Sequence, residues 1–123
     1  MRRTLLRHSK KLLEEAAKDL EIGCYNKAAS ASYFAVRKAS ETLLRILGEA
    51  VPRRDDKLAN AIKYKGLADV SEILKILYQA RKEADYGEGV TEEEARASVE
   101  MAKKAIEVIE RFISLVGRDS VDP

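Results

Sequence analysis

The stretch Thr91–Val116, TEEEARASVEMAKKAIEVIERFISLV, decides the fold. Ala95, Val99, Ala102, Ile106, Ile109, Ile113 and Val116 recur at spacings of four and three, the period of one helical face. Met101, Ala105, Val108, Phe112 and Leu115 form a second stripe beside it. Two adjacent apolar stripes exceed what a surface helix needs, so this helix either packs centrally or meets a second subunit. Thr91 opens it with Glu94 at the third helical position, the pattern of a capping box. Glu92, Glu93 and Glu94 put three acids at the positive end of its dipole.

The same period runs through the upstream chain. A first helix is expected from about Thr4 to Ile22, with Leu5, Leu12, Leu13, Ala16, Ala17 and Leu20 inward and Gly23 as its stop. A second runs from Asn26 to Leu47 and ends at Gly48. Its inner face, Ala28, Ala29, Ser32, Ala35, Val36, Ala39, Leu43, Ile46 and Leu47, starts with small residues that let another helix approach closely. Tyr33, Arg37, Ser40 and Leu44 form a ridge beside it, and Phe34 is placed on the opposite, charged side with Lys38, Glu41 and Arg45. Val51–Lys57 reads as a loop whose aspartate caps a short helix from Lys57 to Lys65, ended by Gly66. A fourth helix is expected from Asp69 to Asp85, then a turn at Tyr86-Gly87-Glu88-Gly89. Residues 117–123 are expected to fray. The expected fold class is all-α: one domain over 1–123, an antiparallel up-and-down bundle of four long helices and one short helix.

Composition agrees with a soluble globular chain. Of 123 residues, 36% are charged and 46% apolar, with only six glycines and two prolines to interrupt helices. The net charge of +2 gives no general argument for nucleic-acid binding. Arg2, Arg3, Arg7, Lys10 and Lys11 do precede the first acid, which reads as a solvated basic face. A single cysteine, Cys24, excludes an internal disulfide. No apolar run is long enough to span a bilayer, and no signal-peptide pattern is present, so the expected compartment is the cytoplasm with no membrane partner. One Gln and two Asn against abundant Lys, Arg and Glu give a thermophile-like composition. No Cys/His cluster, Gly-rich phosphate loop or Glu-x-x-His pair appears, so neither a metal nor a cofactor is expected.

One residue breaks the apolar pattern. On the wheel of Val70–Asp85, Arg81 falls among Val70, Ile73, Leu74, Leu77 and Ala84, where a hydrophobe belongs. Desolvating a guanidinium is costly, so an inward arginine needs a partner. Asp85 at i+4 and Tyr78 at i−3 are within reach along the same side. Such a group is either a structural ion pair or a site for an anion such as phosphate. Arg53 and Arg54, paired in a loop, are further candidates to clamp a phosphate.

Gly23-x-Tyr25-x-x-Ala28, then Ser32-Tyr33-Phe34-Ala35-Val36-Arg37-Lys38-Ala39 and Glu41-x-Leu43-Leu44, resemble the first half of the HEPN domain family. The Pro52-Arg53-Arg54 loop and Arg81-x-x-Ala84-Asp85-Tyr86 look like its later landmarks, and the resemblance spans roughly residues 5–115. It implies a helical bundle, commonly a homodimer, tied to nucleotide or RNA chemistry. Many members are metal-independent ribonucleases; others are toxins, partners of minimal nucleotidyltransferases, or noncatalytic. Active members carry Arg-x(4–6)-His, with two copies facing each other across the dimer. Arg81 fits that arginine, but Tyr86 stands five residues on, at the place of the histidine in its shortest form. A phenol is a poor general base at neutral pH, although it can hydrogen-bond a phosphate or stack on a base.

Three functions follow as expectations. The first is a noncatalytic module that binds a nucleotide, RNA or a nucleotidyltransferase partner in a toxin–antitoxin-like setting, using Arg81, Asp85, Tyr86, Tyr78, Arg53 and Arg54. The second is a metal-independent ribonuclease with a degenerate active site, in which Arg81 is the catalytic residue. The third is a structural dimeric interaction protein whose Arg81–Asp85 pair fixes register. A homodimer is expected in each, through the double stripe of the last helix and through Tyr33, Phe34 and Leu44.

Overall fold

The computed structural model describes residues 5–121, with side chains for 5–116. Five helices make up the described chain: α1 (Arg7–Glu21), α2 (Tyr25–Ile46), α3 (Asp55–Tyr64), α4 (Ala68–Tyr86) and α5 (Glu92–Val121). They form the expected bundle of four long helices and one short one. Its centre is α2 rather than α5: α1, α4 and α5 all pack on α2, and α3 lies mainly against α4. The small residues of α2 allow this, since Ala28, Ala29, Ser32, Ala35 and Ala39 are all fully buried. Ser32 and Ser40 turn their hydroxyls back onto the carbonyls of Ala28 and Val36, so no hydroxyl is left unpaired on this buried face.

The main core joins Val36, Leu43 and Leu44 of α2 with Leu58 and Ile62 of α3, Val70 and Leu77 of α4, and Ile106 and Ile109 of α5. A smaller cluster at the other end packs Ala16 and Ala28 against Ala95 and Val99. The last helix carries both expected stripes. The first is buried from Ala95 to Ile113 and half-buried at Val116, whereas the second grades from buried Ala105 through half-buried Met101, Val108 and Phe112 to exposed Leu115. Ser71 Oγ donates to the Ala59 carbonyl at 2.8 Å and ties α4 to α3.

Several local expectations are corrected. Leu6, not Leu5, turns into the core: Leu5 is exposed at the helix entrance. Tyr33 and Leu44, assigned to an outer dimer surface, are buried at 2% and 0% exposure, and Phe34 is half-buried against the core. A helix enclosed on several sides has no single charged side to which Phe34 could point. No aspartate occupies the N-cap of α3, although Asp56 Oδ1 accepts from the Lys57 N–H at 2.9 Å within its first turn. Its N-cap is Arg54, in extended conformation, and Asp55 and Asp56 occupy the first turn. The fourth helix runs one residue further, through Tyr86. The last continues through Val121, five positions beyond Val116; residues 122–123 of the expected frayed tail lie outside the described chain.

The turn from α4 to α5 is fastened to the start of α2. Thr91 and Glu94 close the expected capping box reciprocally, at 2.9 and 3.1 Å. Asn26 Oδ1 accepts from the Val90 N–H at 2.9 Å. Gly89 has a φ of +98°, and a Cβ there would stand 3.2 Å from Asn26 Oδ1, so both backbone and space require glycine. This clip brings the end of α4, with Arg81, Asp85 and Tyr86, beside the first half of α2.

Candidate functional site

Arg81 sits on a wall of aromatic rings. Its guanidinium carbon lies 5.1 Å from the centroid of Phe34, 5.7 Å from Tyr86 and 5.9 Å from Tyr33. These are cation–π distances, each worth about 0.5–1 kcal/mol at a partly exposed site. Tyr33 and Phe34 meet edge-to-face at 5.1 Å, so the two rings from α2 brace each other beneath the cation. Tyr86 comes from the last turn of α4 and is 77% exposed, a flap on the solvent side.

The expected Arg81–Asp85 pair is present, with Nε donating to Oδ2 at 3.1 Å. Ser30 of α2 shares the same carboxylate oxygen at 3.4 Å. The arginine is less buried than the wheel implied: its side chain keeps 24% exposure and that of Asp85 keeps 32%. Among the described residues, Nη1 and Nη2 of Arg81 donate to no protein acceptor. Among the described residues, no hydrogen bond or cation–π contact joins Tyr78 to Arg81. Tyr78 lies against Tyr33, at 5.9 Å between centroids, and carries Lys82 over its own ring at 5.3 Å.

A second arginine, not singled out from the sequence, does the structural work expected of Arg81. Arg37 of α2 donates through Nε to Glu41 at 2.9 Å and through Nη1 to the Tyr33 hydroxyl at 3.1 Å and to Asp55 at 2.5 Å. Through Nη2 it reaches the Arg53 carbonyl at 2.9 Å. With side-chain exposures of 16% for Arg37 and 11% for Glu41, this is the most sequestered ion pair among the described residues. The i,i+4 spacing of Arg37 and Glu41 was the sequence signal for it. Burial pushes the Asp55 carboxyl above its ordinary range, and the Arg81 charge opposes that push.

Arg53 and Arg54 are separated in role. Arg54 forks onto Asp56, with Nε to Oδ1 at 3.1 Å and Nη2 to Oδ2 at 2.8 Å. Burial raises the Asp56 carboxyl, but the Arg54 bond and charge outweigh it and leave it below the usual carboxylate value. Arg53 offers only its carbonyl to Arg37, and its side chain is exposed. The structure therefore brings Arg81, Asp85, Tyr86 and, through Tyr33, Tyr78 together. Arg53 and Arg54 stand across the Arg37–Asp55 bridge.

Between these groups lies a cleft of about 430 Å³ lined by Tyr33, Asp55, Asp56, Asn60, Leu74, Lys75, Tyr78 and Gln79. Its size is that of a small-ligand site, about 300–1,000 Å³. Tyr33 is the common wall: one side carries Arg81 and the other borders the cleft. The arrangement offers a guanidinium with free donors, exposed aromatic faces and a pocket with apolar and hydrogen-bonding walls. Those parts suit a ligand with an anionic group and a planar ring. No helix among the described residues is long and apolar enough to cross a membrane.

The family model described as the HEPN domain matches residues 3–119 of the 123. No curated protein is significantly similar to the chain.

Proposed function

The chain belongs to the HEPN family, and we propose that it is a noncatalytic member that holds the phosphate of a nucleotide or of single-stranded RNA on Arg81. The single observation that carries this reading is the state of the guanidinium. Three rings and Asp85 fix its orientation, yet among the described residues neither terminal amino group meets a protein acceptor. Those two groups are the ones a phosphate takes bidentately. A purely structural arginine looks like Arg37, whose donors are spent on four protein acceptors.

Catalysis by 2′-hydroxyl attack wants a base near the held phosphate. The residue five positions after Arg81 is Tyr86, and the single histidine, His8, is on α1, which packs against α2 and α5. Tyr86 instead supplies an exposed ring on which a base can stack. The proposal includes a homodimer and, as protein partner, a minimal nucleotidyltransferase in a toxin–antitoxin-like pair. Tyr33 and Leu44 are taken up inside the protomer, so the dimer contact falls to other surfaces.

Incubation of the purified chain with end-labelled single-stranded RNA tests the reading. Retention of intact RNA, lost in Arg81→Ala, supports it. Cleavage that disappears in Arg81→Ala overturns the noncatalytic assignment in favour of a ribonuclease.

A further inference from the structure

The cleft beside Arg81 has a chemistry of its own. Asp55 gives Oδ1 to Arg37, and no side chain among the described residues donates to its Oδ2. The Tyr33 hydroxyl is in a 2% exposed residue and accepts from Arg37, while its own proton meets no acceptor among the described residues. One wall of the cleft thus presents an open acceptor, a carboxylate oxygen, and an open donor, a phenolic hydrogen. Leu74 and Tyr78 provide apolar and aromatic surface, and Asn60 and Gln79 add exposed amides.

Two carboxylates on the wall argue that no phosphate enters the cleft itself. The Asp56 charge is answered by Arg54 and that of Asp55 by Arg37 through Oδ1, so what the wall leaves open is a hydrogen-bond acceptor, the Asp55 Oδ2. A neutral ring rich in N–H donors is the complementary occupant. Among the common bases only guanine has two adjacent donors, N1–H and the N2 amine, with a carbonyl acceptor next to them. Adenine and cytosine each present a ring-nitrogen lone pair beside their amine. Uracil flanks its one N–H with two carbonyls. Each of these would set a lone pair against the Asp55 carboxylate.

We propose that this cleft is a guanine subsite, with Asp55 accepting from the N1–H and N2 amine, Tyr33 donating to the carbonyl, and Leu74 and Tyr78 covering the ring. It deepens the reading of Arg81 as a phosphate holder and rests on it. The phosphate of the same nucleotide lies outside, toward Arg81 beyond Tyr33, with Lys75 at the rim. Free guanosine monophosphate and a guanosine within single-stranded RNA present the same chemistry to the cleft.

Calorimetric titration of the full chain at low salt with the monophosphates of guanosine, inosine, adenosine and xanthosine tests this. Guanosine monophosphate is expected to bind at least about tenfold more tightly than the inosine form, which lacks only the N2 amine, and than the adenosine form. Asp55→Asn should lose guanosine monophosphate and gain the xanthosine form, whose carbonyl replaces the N2 amine and suits an amide donor. A merely structural Asp55 would not produce that exchange. Gln79→Trp, at an exposed position, should obstruct the cleft and abolish the preference with helicity unchanged, and it decides the matter if Asp55→Asn fails to fold. Equal affinity for the four nucleotides, or a guanosine preference that survives Gln79→Trp, overturns the subsite. Labelled oligouridine separates the two levels. If oligouridine binding depends on Arg81 but no guanosine preference exists, the subsite fails and the phosphate reading stands. If guanosine selectivity persists in Arg81→Ala, the subsite stands and the phosphate reading fails. If GMP-containing and oligouridine probes of equal length all bind less tightly than millimolar, both fail.

Discussion

The guanidinium of Arg81 lies 5.1 Å from the ring centroid of Phe34, a residue on a different helix whose place along the chain gives no hint of the contact. The pairing makes α2 a partner in the site and explains how a charged residue is held among apolar neighbours without full burial. The rings of Phe34, Tyr33 and Tyr86 lie within cation–π distance of the guanidinium, a weakly hydrated cation, and take none of its N–H donors as hydrogen-bond acceptors would.

Replacing Arg81 should therefore cost little stability. A fully buried ion pair broken on one side loses about 3–5 kcal/mol, but Arg81 and Asp85 both reach solvent, so Arg81→Ala should cost less, about 1–2 kcal/mol, chiefly from its ring contacts. Urea denaturation measures this. A loss near the buried-pair value would show that the arginine is structural in the way Arg37 is.

Arg37→Ala should be the more damaging change. It strands Asp55, leaves Glu41 only the 3.9 Å contacts of Lys38 and Arg45, and frees the Arg53 carbonyl that anchors the loop before α3. The expected loss is toward the lower end of about 3–5 kcal/mol, because the group is not wholly enclosed. Arg37→Lys should not rescue it, since an ammonium cannot span four acceptors in a plane. Denaturant midpoints for the two variants check both statements.

Much of this fold was legible in the sequence, and the reason is local. Gly23, Gly48 and Gly66 adopt positive φ where helices were expected to stop, and the Thr91–Glu94 box closes as its spacing implies. The Arg81–Asp85 pair was legible for the same reason, since i,i+4 neighbours meet on any helix. What could not be read was the identity of the central helix. A wheel assigns an inside and an outside relative to one neighbour, but α2 is packed on several sides, so the wheel sets Tyr33, Leu44 and Phe34 outward and gives no sign of the four acceptors that Arg37 meets. The cleft, assembled from three helices, has no signature in any one of them.

Gly89→Ala should lower stability by about 1–2 kcal/mol, the cost of forcing a side chain into left-handed backbone, with the Asn26 contact adding to it. Asn26→Ala should also destabilise, by freeing the Val90 N–H. Thermal unfolding of the single and double variants tests the clip. The double variant should be less damaging than the sum, because both act on one contact.

The start of α5 should show a pH dependence. The Tyr25 hydroxyl donates to Glu92 at 3.1 Å, and Arg96 holds the other oxygen at 2.8 Å. The Arg96 bond, then the Tyr25 bond, lowers the Glu92 carboxyl, and the Glu92 bond raises the Tyr25 phenol. The Glu92 contribution is thus present above about pH 4.3, the ordinary glutamate value, and is lost as pH falls through the lowered folded-state value. That of Tyr25 is full below about pH 10 and is lost as pH rises through its raised value. Melting temperature followed across pH should fall less steeply at both ends in Tyr25→Phe than in the parent. Superimposable slopes would remove this hydrogen bond from the account.

The proposed homodimer is checked by sedimentation at micromolar concentration. A species of twice 13.8 kDa is expected, and a single species of 13.8 kDa would contradict the dimer.

The central claim is that Arg81 holds a phosphate with the donors its protein neighbours leave free. Fluorescence anisotropy of a labelled single-stranded RNA, titrated with parent, Arg81→Ala and Arg81→Lys proteins at low salt, tests it most directly. The account predicts binding that weakens by about tenfold or more in Arg81→Ala, recovers only partly in Arg81→Lys, and has a shallower salt dependence in Arg81→Ala, with helicity unchanged throughout. Equal affinity and equal salt slope for all three proteins would contradict it.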